Sequence, residues 1–304
     1  MRVLLAGATG AIGRPLLARL VAEGHDVVGT TRDLARATAI EREGATAAVL
    51  DAFDAAAVRD TVLAARPEVV IHQLTALPAA PDPKAMGAAV QQTSRLRRKT
   101  VPVFLDAARE AGARRAIVQS IAFVTRPDGR PVHDEDAPLE DDMAAGAVGA
   151  MEAAVRAADG LEGVVLRYGF FYGPGTWYAR DGAVAELIRR RRYPLIGSAQ
   201  GRSSWVHVDD AVDATVRALD HGAPGVYNVC DDAPATQAEW LPEAARLLGA
   251  RPPRHVPAWL ARRLAGPVVV HYATTLPGSA NGRARAAFSW SPRPWREGFA
   301  EVLR

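Results

Sequence analysis

The sequence predicts an α/β fold in which a doubly wound parallel sheet is joined to a smaller C-terminal lobe. Three observations predict it: short β-branched runs alternate with helical segments in the first half, a glycine-rich turn follows the first run, and the alternation fails after about residue 169. Strands and helices that alternate at this spacing form a parallel sheet covered by helices on both faces. With 304 residues, 49% of them hydrophobic, the chain can bury a core of this size.

The first half of the chain contains most of the predicted strands. Continuous apolar runs are typical of strands that are buried on both faces of a parallel sheet. Such runs occupy residues 3–6, 27–29, 47–50, 69–71 and 116–118, and two later ones occupy 164–166 and 226–229. Helical periodicity predicts helices over 12–22, 34–42, 55–65 and about 83–110, with Gly24, Gly44 and Gly112 at the expected C-caps.

A glycine-rich turn follows the first predicted strand directly and opens the first predicted helix. Glycines in such a turn allow a tight bend, close approach of a pyrophosphate and close packing of helix on strand. The start of the helix then offers free N–H groups to the phosphates. The turn therefore predicts a Rossmann-type dinucleotide site, formed by Gly7, Thr9, Gly10, Ala11, Ile12 and Gly13.

The end of the second predicted strand indicates which dinucleotide binds. A carboxylate there would bind the ribose hydroxyls of NAD(H), but the chain has Thr31 followed by Arg32. A guanidinium can bind a 2′-phosphate bidentately and stack on the adenine. We therefore expect NADP(H), held by Thr31 and Arg32. The alternative is that Arg32 is a solvated loop residue and that Asp33 serves the ribose.

The second half of the chain is predicted to supply a substrate lobe. Tryptophans and prolines accumulate there and the regular alternation is lost. We expect residues 1–168 to form the dinucleotide-binding domain, to which 205–230 return as a strand and a helix. Residues 169–204 and 231–304 then form the smaller lobe, over the carboxyl edge of the sheet where ligands bind in such folds.

Composition excludes several classes of protein. No run of about eighteen uncharged apolar residues occurs, so no membrane span is expected, and the N-terminus does not resemble a signal peptide. The single cysteine, Cys230, excludes an intramolecular disulfide framework and a cysteine-based zinc site, and no His/Asp/Glu cluster has metal-ligand spacing. A reducing cytoplasm is the expected location.

The densest basic run, four arginines at 189–192, ends an apolar-periodic segment in a chain whose net charge is only +3. Positive charge is favourable at a helix C-terminus. The run therefore predicts a solvated helix end, the alternative being a patch for nucleic acid or an anionic substrate. We expect neither a nucleic-acid nor a membrane partner, and a monomer or a homodimer.

Several blocks together resemble the extended form of the short-chain dehydrogenase/reductase superfamily over nearly the whole chain. Besides the glycine turn they are Asp51 after the third strand, residues 71–76 (IHQLTA), 118–122 (VQSIA), 167–175 (RYGFFYGPG), 205–210 (WVHVDD) and 227–229 (YNV). The resemblance implies that Asp51 and Ala52 lie near the adenine. It also implies that Leu74, Thr75 and Ala76 line the cofactor's ribose, that Phe170 and Phe171 lie near the nicotinamide, and that Ser120 is the active-site serine.

The proton-transfer pair of that superfamily is missing. Counted from Ser120 and back from Glu152, the usual Tyr and Lys fall at Ala144 and Val148, and the usual Asn falls at Arg97. Alanine and valine cannot exchange a proton, and a serine hydroxyl is a poor acid near neutral pH. The chain therefore resembles the atypical members, including tetrad-lacking ketoreductases of aromatic polyketide (angucyclinone) biosynthesis.

That resemblance implies an NADPH-dependent ketoreductase acting on a bulky, polycyclic aromatic ketone. Ser120 would hydrogen-bond the carbonyl oxygen, and the substrate or water would supply the proton; Tyr168, Tyr172 and Tyr178 are substitute proton donors to test. The alternatives are a non-catalytic NADP(H)-binding sensor and a nucleotide-sugar epimerase or dehydratase, the latter weakened by the missing base.

Overall fold

The computed structural model describes residues 1–78 and 80–304. In chain order the strands are β1 (Arg2–Ala6), β2 (Asp26–Thr31), β3 (Thr46–Val49), β4 (Val69–His72), β5 (Arg115–Ile121), β6 (Val132–His133), β7 (Glu162–Tyr168), β8 (Phe170–Tyr172), β9 (Leu195–Ile196), β10 (Arg202–Ser203), β11 (Trp205–His207), β12 (Gly225–Val229), β13 (Ala235–Thr236), β14 (His255–Val256) and β15 (Gly278–Ser279). The helices are α1 (Gly13–Ala22), α2 (Leu34–Arg42), α3 (Ala55–Ala65), α4 (Pro83–Glu110), α5 (Met143–Arg156), α6 (Ala183–Arg189), α7 (Val208–Arg217), α8 (Gln237–Leu247), α9 (Ala258–Ala265), α10 (Pro267–Thr274), α11 (Gly282–Phe288) and α12 (Trp295–Leu303).

A seven-stranded sheet in the order β12-β7-β5-β4-β1-β2-β3 is the centre of the molecule. Each of its neighbouring pairs is parallel, so the carboxyl ends of its strands meet at one edge. The doubly wound α/β fold class that the sequence predicts is confirmed. The predicted helices over 34–42, 55–65 and 83–110 are α2, α3 and α4, and Gly24, Gly44 and Gly112 have the positive φ that a helix C-terminus favours.

Alternate residues of each central strand pack on opposite faces of the sheet, because successive side chains of a strand point to opposite sides. In β1, Val3 and Leu5 belong to the core shared with α1 and α7. Leu4 and Ala6 belong to the core shared with α3, α4 and α5. The two apolar layers hold the sheet rigid beneath its carboxyl edge.

The position of the strand β11 differs from the expectation. It was expected to return to the main sheet, but it pairs in parallel with β8 in a separate two-stranded sheet. The chain leaves the main sheet at Gly169, where a Cβ would stand 2.2 Å from the Ser204 carbonyl oxygen. The next residue, Phe170, donates its N–H to that same oxygen at 2.7 Å. Within residues 205–230, the helix α7 packs on α1 and the strand β12 joins the main sheet.

The C-terminal segments build a separate aromatic core. Its edge-to-face ring pairs join β8, β11, α8 and α12, a geometry that aromatic rings favour. The arginine run ends α6 as expected: Arg190 pairs with Glu186, and Arg191 donates to the Pro252 carbonyl at 3.0 Å. In the part of the chain that the structure describes, no helix combines the length and apolar character needed to cross a membrane.

Candidate active site

The glycine turn lies at the carboxyl end of β1 and is tightly folded. Gly7 has φ +91°, and the Gly10 N–H closes the turn on the Gly7 carbonyl at 3.1 Å. A Cβ on Gly13 would stand 2.0 Å from that carbonyl oxygen, so only glycine allows α1 to start here. No side chain caps α1 and its first turn has no acidic residue. The turn and the open helix start therefore fit a pyrophosphate.

The carboxyl end of β2 leaves one arginine without a partner. Thr31 Oγ1 accepts the Asp33 N–H at 3.2 Å, and Asp33 Oδ1 accepts the Ala35 N–H at 2.9 Å and so caps α2. Arg32 is exposed and makes no hydrogen bond or ion pair within residues 1–78 and 80–304. The capping role of Asp33 disfavours it as a ribose ligand, whereas Arg32 can turn toward a phosphate.

A second exposed arginine, Arg14, follows the last glycine of the turn. It lies in the first turn of α1, where its backbone N–H donates to the Gly10 carbonyl at 3.0 Å, and among the described residues its guanidinium has no hydrogen-bond or ion-pair partner. The sequence-based site did not include it. Its position directly after Gly13 was the signal that could have identified it.

The loops after β3 and β4 flank the glycine turn. Asp51 is exposed, with Oδ1 accepting the Phe53 N–H at 3.0 Å, and Ala52 beside it is buried. Leu74 lies against Gly7, with its Cδ2 3.2 Å from where a Cβ on that glycine would stand. Thr75 is exposed, and the Ala76 N–H donates to Thr93 Oγ1 at 3.1 Å. The residues predicted to bind the dinucleotide thus follow neighbouring strands at one edge of the sheet, although their roles stay predictions.

Ser120 is fully buried at the end of β5 rather than facing open space. Its hydroxyl donates to Glu152 Oε1 at 3.3 Å. Both oxygens of Glu152 also accept hydrogen bonds from Arg167, at 2.7 Å each, and all three side chains are at most 3% exposed. The geometry therefore favours a positioning role for Ser120, and its predicted contact with a substrate carbonyl stays untested.

On the helix face that would carry the proton-transfer pair, both expected positions are occupied by apolar residues. Ala144, Val148 and Glu152 are spaced four residues apart on α5 and share one face. Val148 is fully buried in an aliphatic cluster with Val124 and Ala145. Glu152, the third residue of that face, is already bound to Arg167. Neither Ala144 nor Val148 has a group that gives or takes a proton.

The three tyrosines considered as substitute proton donors hold their protons more tightly than a free tyrosine. The Tyr168 hydroxyl lies between Gln73 and Thr215, 3.0 and 2.6 Å away, and burial raises its pKa to about 12. Burial also raises the pKa of Tyr172 and of Tyr178. A raised pKa makes each a weaker acid near neutral pH, so their packing role is the better supported one.

A small aromatic group is formed by rings from the loop after β5, from β8 and from α10. The rings of Phe123 and Phe170 stack with centroids 4.2 Å apart, and Tyr272 of α10 contacts both edge-on at about 6 Å. Phe171 points elsewhere, against Tyr168 at 5.2 Å. Of the two phenylalanines predicted near the nicotinamide, only Phe170 joins the group. Sequence reasoning missed Tyr272, because it is far from Phe123 and Phe170 in the sequence.

Comparison with known proteins supports this architecture. Residues 3–230 match the NAD dependent epimerase/dehydratase family. A Streptomyces protein named 3-diazoavenalumate denitrifying reductase is 49% identical over 309 residues, covering 98% of this chain and 99% of that protein. Human epimerase family protein SDR39U1 is 28% identical over 257 residues, which span 83% of this chain and 82% of the human one.

Solved structures share the fold at low identity. The crystal structure of human SDR39U1 isoform 2 with NADPH superposes with a TM-score of 0.79 at 22% identity, covering 100% of this chain and 99% of that one. UDP-glucose 4-epimerase from Thermotoga maritima, with UDP-glucose, gives a TM-score of 0.78 at 20% identity, with 100% and 97% covered.

Proposed function

Because the chain belongs to the NAD-dependent epimerase/dehydratase family of extended short-chain dehydrogenases/reductases, we propose that it reductively removes a diazo group from an aromatic carboxylate. It is an oxidoreductase, as the family and the 49% identical reductase indicate. The name of that relative gives a diazo compound as its substrate, a carboxylate by its suffix, and loss of nitrogen with reduction as its reaction. The proposal transfers this reaction class to the present chain.

The observation that carries the proposal is the 49% identity to that reductase, and Ala144 and Val148 of α5, which stand where the usual Tyr and Lys would, are compatible with it. When an aryl diazonium carbon accepts a hydride, the hydride's electron pair forms the C–H bond. The C–N bond breaks with its pair, N2 leaves, and the charges of the diazonium ion and hydride cancel. No proton enters this balance. An active site for such a reaction therefore needs orientation and shielding but no acid or base.

Reduction of a ketone, in contrast, requires a proton, because the alkoxide that hydride addition forms must be protonated. Reduction of a bulky polycyclic aromatic ketone, with the proton taken from the substrate or water, is the second candidate. The aromatic group of Phe123, Phe170 and Tyr272 is compatible with both candidates, since these rings suit any flat substrate. Sugar epimerisation or dehydration is disfavoured because both need a base, and a sensor role is disfavoured by the reductase relative.

The residues that would hold the cofactor fit NADP(H). The turn between Gly7 and Gly13 would take the pyrophosphate, and Arg32, assisted by Arg14, would take the 2′-phosphate. When bound, the reduced nicotinamide supplies a hydride. Phe170 and Phe123 would keep water from the reacting carbon, and the buried Glu152–Arg167 pair would keep β5, β7 and α5 in place.

The direct test of this function uses an aromatic diazonium carboxylate with NADPH that carries deuterium on each face of C4 in turn. We expect one N2 released per NADPH oxidised, and the deuterium of one labelled form at the carbon that lost nitrogen. Mixtures without protein correct for the background reaction. If nitrogen is retained in the product, or if only aromatic ketones are reduced, the diazo proposal is wrong and the second candidate replaces it.

Replacing Arg32 with alanine is expected to weaken NADP+ binding about 10- to 100-fold, because a charge-assisted hydrogen bond contributes roughly 1.5–3 kcal/mol. Binding of NAD+, which lacks the 2′-phosphate, should change little. Titration calorimetry with both dinucleotides measures the difference, and Arg42→Ala at the exposed end of α2 is the control. Equal losses for both dinucleotides, or equal affinity of the unmodified protein for them, would show that Arg32 does not read the 2′-phosphate.

Replacing Ser120 with alanine is expected to lower kcat/KM by less than about tenfold, or roughly 1 kcal/mol. Glu152 keeps both hydrogen bonds from Arg167 in this variant, so the network loses only its weakest member. Steady-state kinetics with the diazonium substrate give the value, and Ser203→Ala is the matched control. A loss of about a hundred-thousandfold would instead show that Ser120 acts on the substrate directly.

A further inference from the structure

Arg97 is a buried cation without a hydrogen-bond partner. It is 4% exposed, and within residues 1–78 and 80–304 its guanidinium makes neither a hydrogen bond nor an ion pair; its Nε is buried and unsatisfied. Burial lowers the pKa of Arg97 to about 10, which still leaves it charged near neutral pH. A buried charge without a partner is strongly destabilising, so its presence needs an explanation.

The position of Arg97 places it at the candidate active site. It lies on the α4 face that contacts the carboxyl end of β4, because Thr93 bonds Ala76 and Thr100 bonds His72 on the same face. Arg97 is also near enough to Tyr272 of the aromatic group to affect its pKa. One turn earlier, Ser94 has a buried hydroxyl that likewise has no partner among the described residues.

Among the described residues, no acidic side chain forms an ion pair with Arg97. Glu152 is the acidic residue that acts on Arg97, but both of its oxygens are bound to Arg167. His72 adds no negative charge, and burial lowers its pKa to about 4, so it is neutral at pH 7. Arg97, Arg167 and Glu152 thus carry two positive charges and one negative charge, while the other buried carboxylate near Arg167, Glu135, pairs with Arg283. An anionic ligand would balance the remaining positive charge of Arg97.

The phosphates of the cofactor are not suited to be that anion. In the sheet order β3-β2-β1-β4-β5, the proposed 2′-phosphate site follows β2 and the pyrophosphate site follows β1. Arg97 lies beyond them, over β4 and next to α5. This is the end of the site reserved for the nicotinamide and the substrate, so an anion that reaches Arg97 belongs to the substrate.

We propose that Arg97, with Ser94, binds the carboxylate of the aromatic substrate and holds its ring beside Phe123, Phe170 and Tyr272. This proposal rests on the proposed function for the diazo group that reacts. It does not rest on it for the carboxylate, because the unpaired charge of Arg97 is observed independently of the reaction. A guanidinium can bind a carboxylate bidentately, and the ligand then supplies the missing counter-charge. Arg97 is in this sense a specificity-determining residue, at the position where the superfamily has an asparagine.

Binding of a simple aromatic acid tests the site without any turnover. Calorimetry of the NADP+-loaded protein with cinnamate, and with its uncharged methyl ester, compares wild type with Arg97→Met and Ser94→Ala. We expect Arg97→Met to weaken cinnamate at least about 30-fold, Ser94→Ala to weaken it severalfold, and neither to change the ester or NADP+. Lys99→Met, which removes an exposed charge from the same helix, is the control.

Thermal unfolding distinguishes a ligand-binding role of Arg97 from a structural role. Removing an unpaired buried charge leaves the neutral Glu152–Arg167 pair, so Arg97→Met without ligand should melt at or above the wild-type temperature. A lower melting temperature of Arg97→Met together with weaker NADP+ binding would overturn the proposal. Cinnamate affinity that is the same in Arg97→Met as in wild type would also overturn it. If cinnamate depends on Arg97 but no diazo compound is reduced, the anion site stands and only the proposed reaction fails.

Discussion

Replacing Glu152 with alanine is expected to lower the free energy of unfolding by about 3–5 kcal/mol, the size observed when one partner of a buried ion pair is removed. Glu152 is 1% exposed and binds Arg167 through both oxygens. Its removal leaves Arg167 without its carboxylate and adds to the unbalanced charge of Arg97. The loss falls on the junction of α5, β5 and β7, which supports the candidate active site.

Urea unfolding of the variant measures this effect, and Glu43→Ala at an exposed site is the control. Adding Arg97→Met to Glu152→Ala should recover part of the lost stability, because the double variant has one buried charge fewer. A Glu152→Ala protein that unfolds within about 0.5 kcal/mol of wild type would contradict the inference that this carboxylate stabilises the buried guanidinium of Arg167.

Replacing Gly13 with alanine is expected to weaken NADP+ binding about a thousandfold, which corresponds to roughly 4 kcal/mol. The added Cβ would stand 2.0 Å from the Gly7 carbonyl oxygen and 3.0 Å from the Ala8 carbonyl carbon. The conflict is with backbone, so the turn itself must move. The pyrophosphate contacts and the start of α1 are then displaced together.

Calorimetry with NADP+ measures the loss, and a far-ultraviolet spectrum checks that the variant is folded. Gly282→Ala is the matched control, because no atom lies within 4 Å of the Cβ that it adds and it is far from the turn in sequence. Binding within about tenfold of wild type would show that the turn does not hold the pyrophosphate as inferred.

Most of the fold could be predicted because its signals are local. The helices α2 and α3 begin and end where the sequence pattern places them, since their capping residues Asp33 and Asp54 and the glycine C-cap at Gly44 lie next to them in the chain. The position of the strand β11 was predicted wrongly because its partner, β8, does not lie next to it in the sequence. Its pairing with β8 depends on Gly169 letting two backbones meet.

The site was predictable only in part. The glycine turn and Thr31-Arg32 are sequence-local, whereas the direction of a side chain at the end of a strand is not. Ser120 turned out to be buried against Glu152, thirty-two residues away. The sequence also does not show that the Arg97 guanidinium lacks a partner, because this depends on Arg167 of β7 binding Glu152 of α5.

The sequence has Ala144 and Val148 where a Tyr/Lys pair is expected, and ketone reduction is one of two reactions that this arrangement allows. A ketone needs its proton from elsewhere, and a diazonium carbon needs none. Nothing in the residues of α5 distinguishes these two cases. The 49% identical reductase of a diazo compound is what favours the second.

We propose that the protein presents a hydride without donating a proton, and a solvent isotope measurement tests this most directly. Protein premixed with NADPH is reacted in a single turnover with the aromatic diazonium carboxylate, in H2O and in D2O, between about pH 6 and about pH 9. We expect equal rates in the two solvents, no pH dependence, and no solvent deuterium at the reduced carbon. A rate at least about twofold slower in D2O that follows one ionisation would show that a proton is transferred in the hydride step, and would contradict the claim.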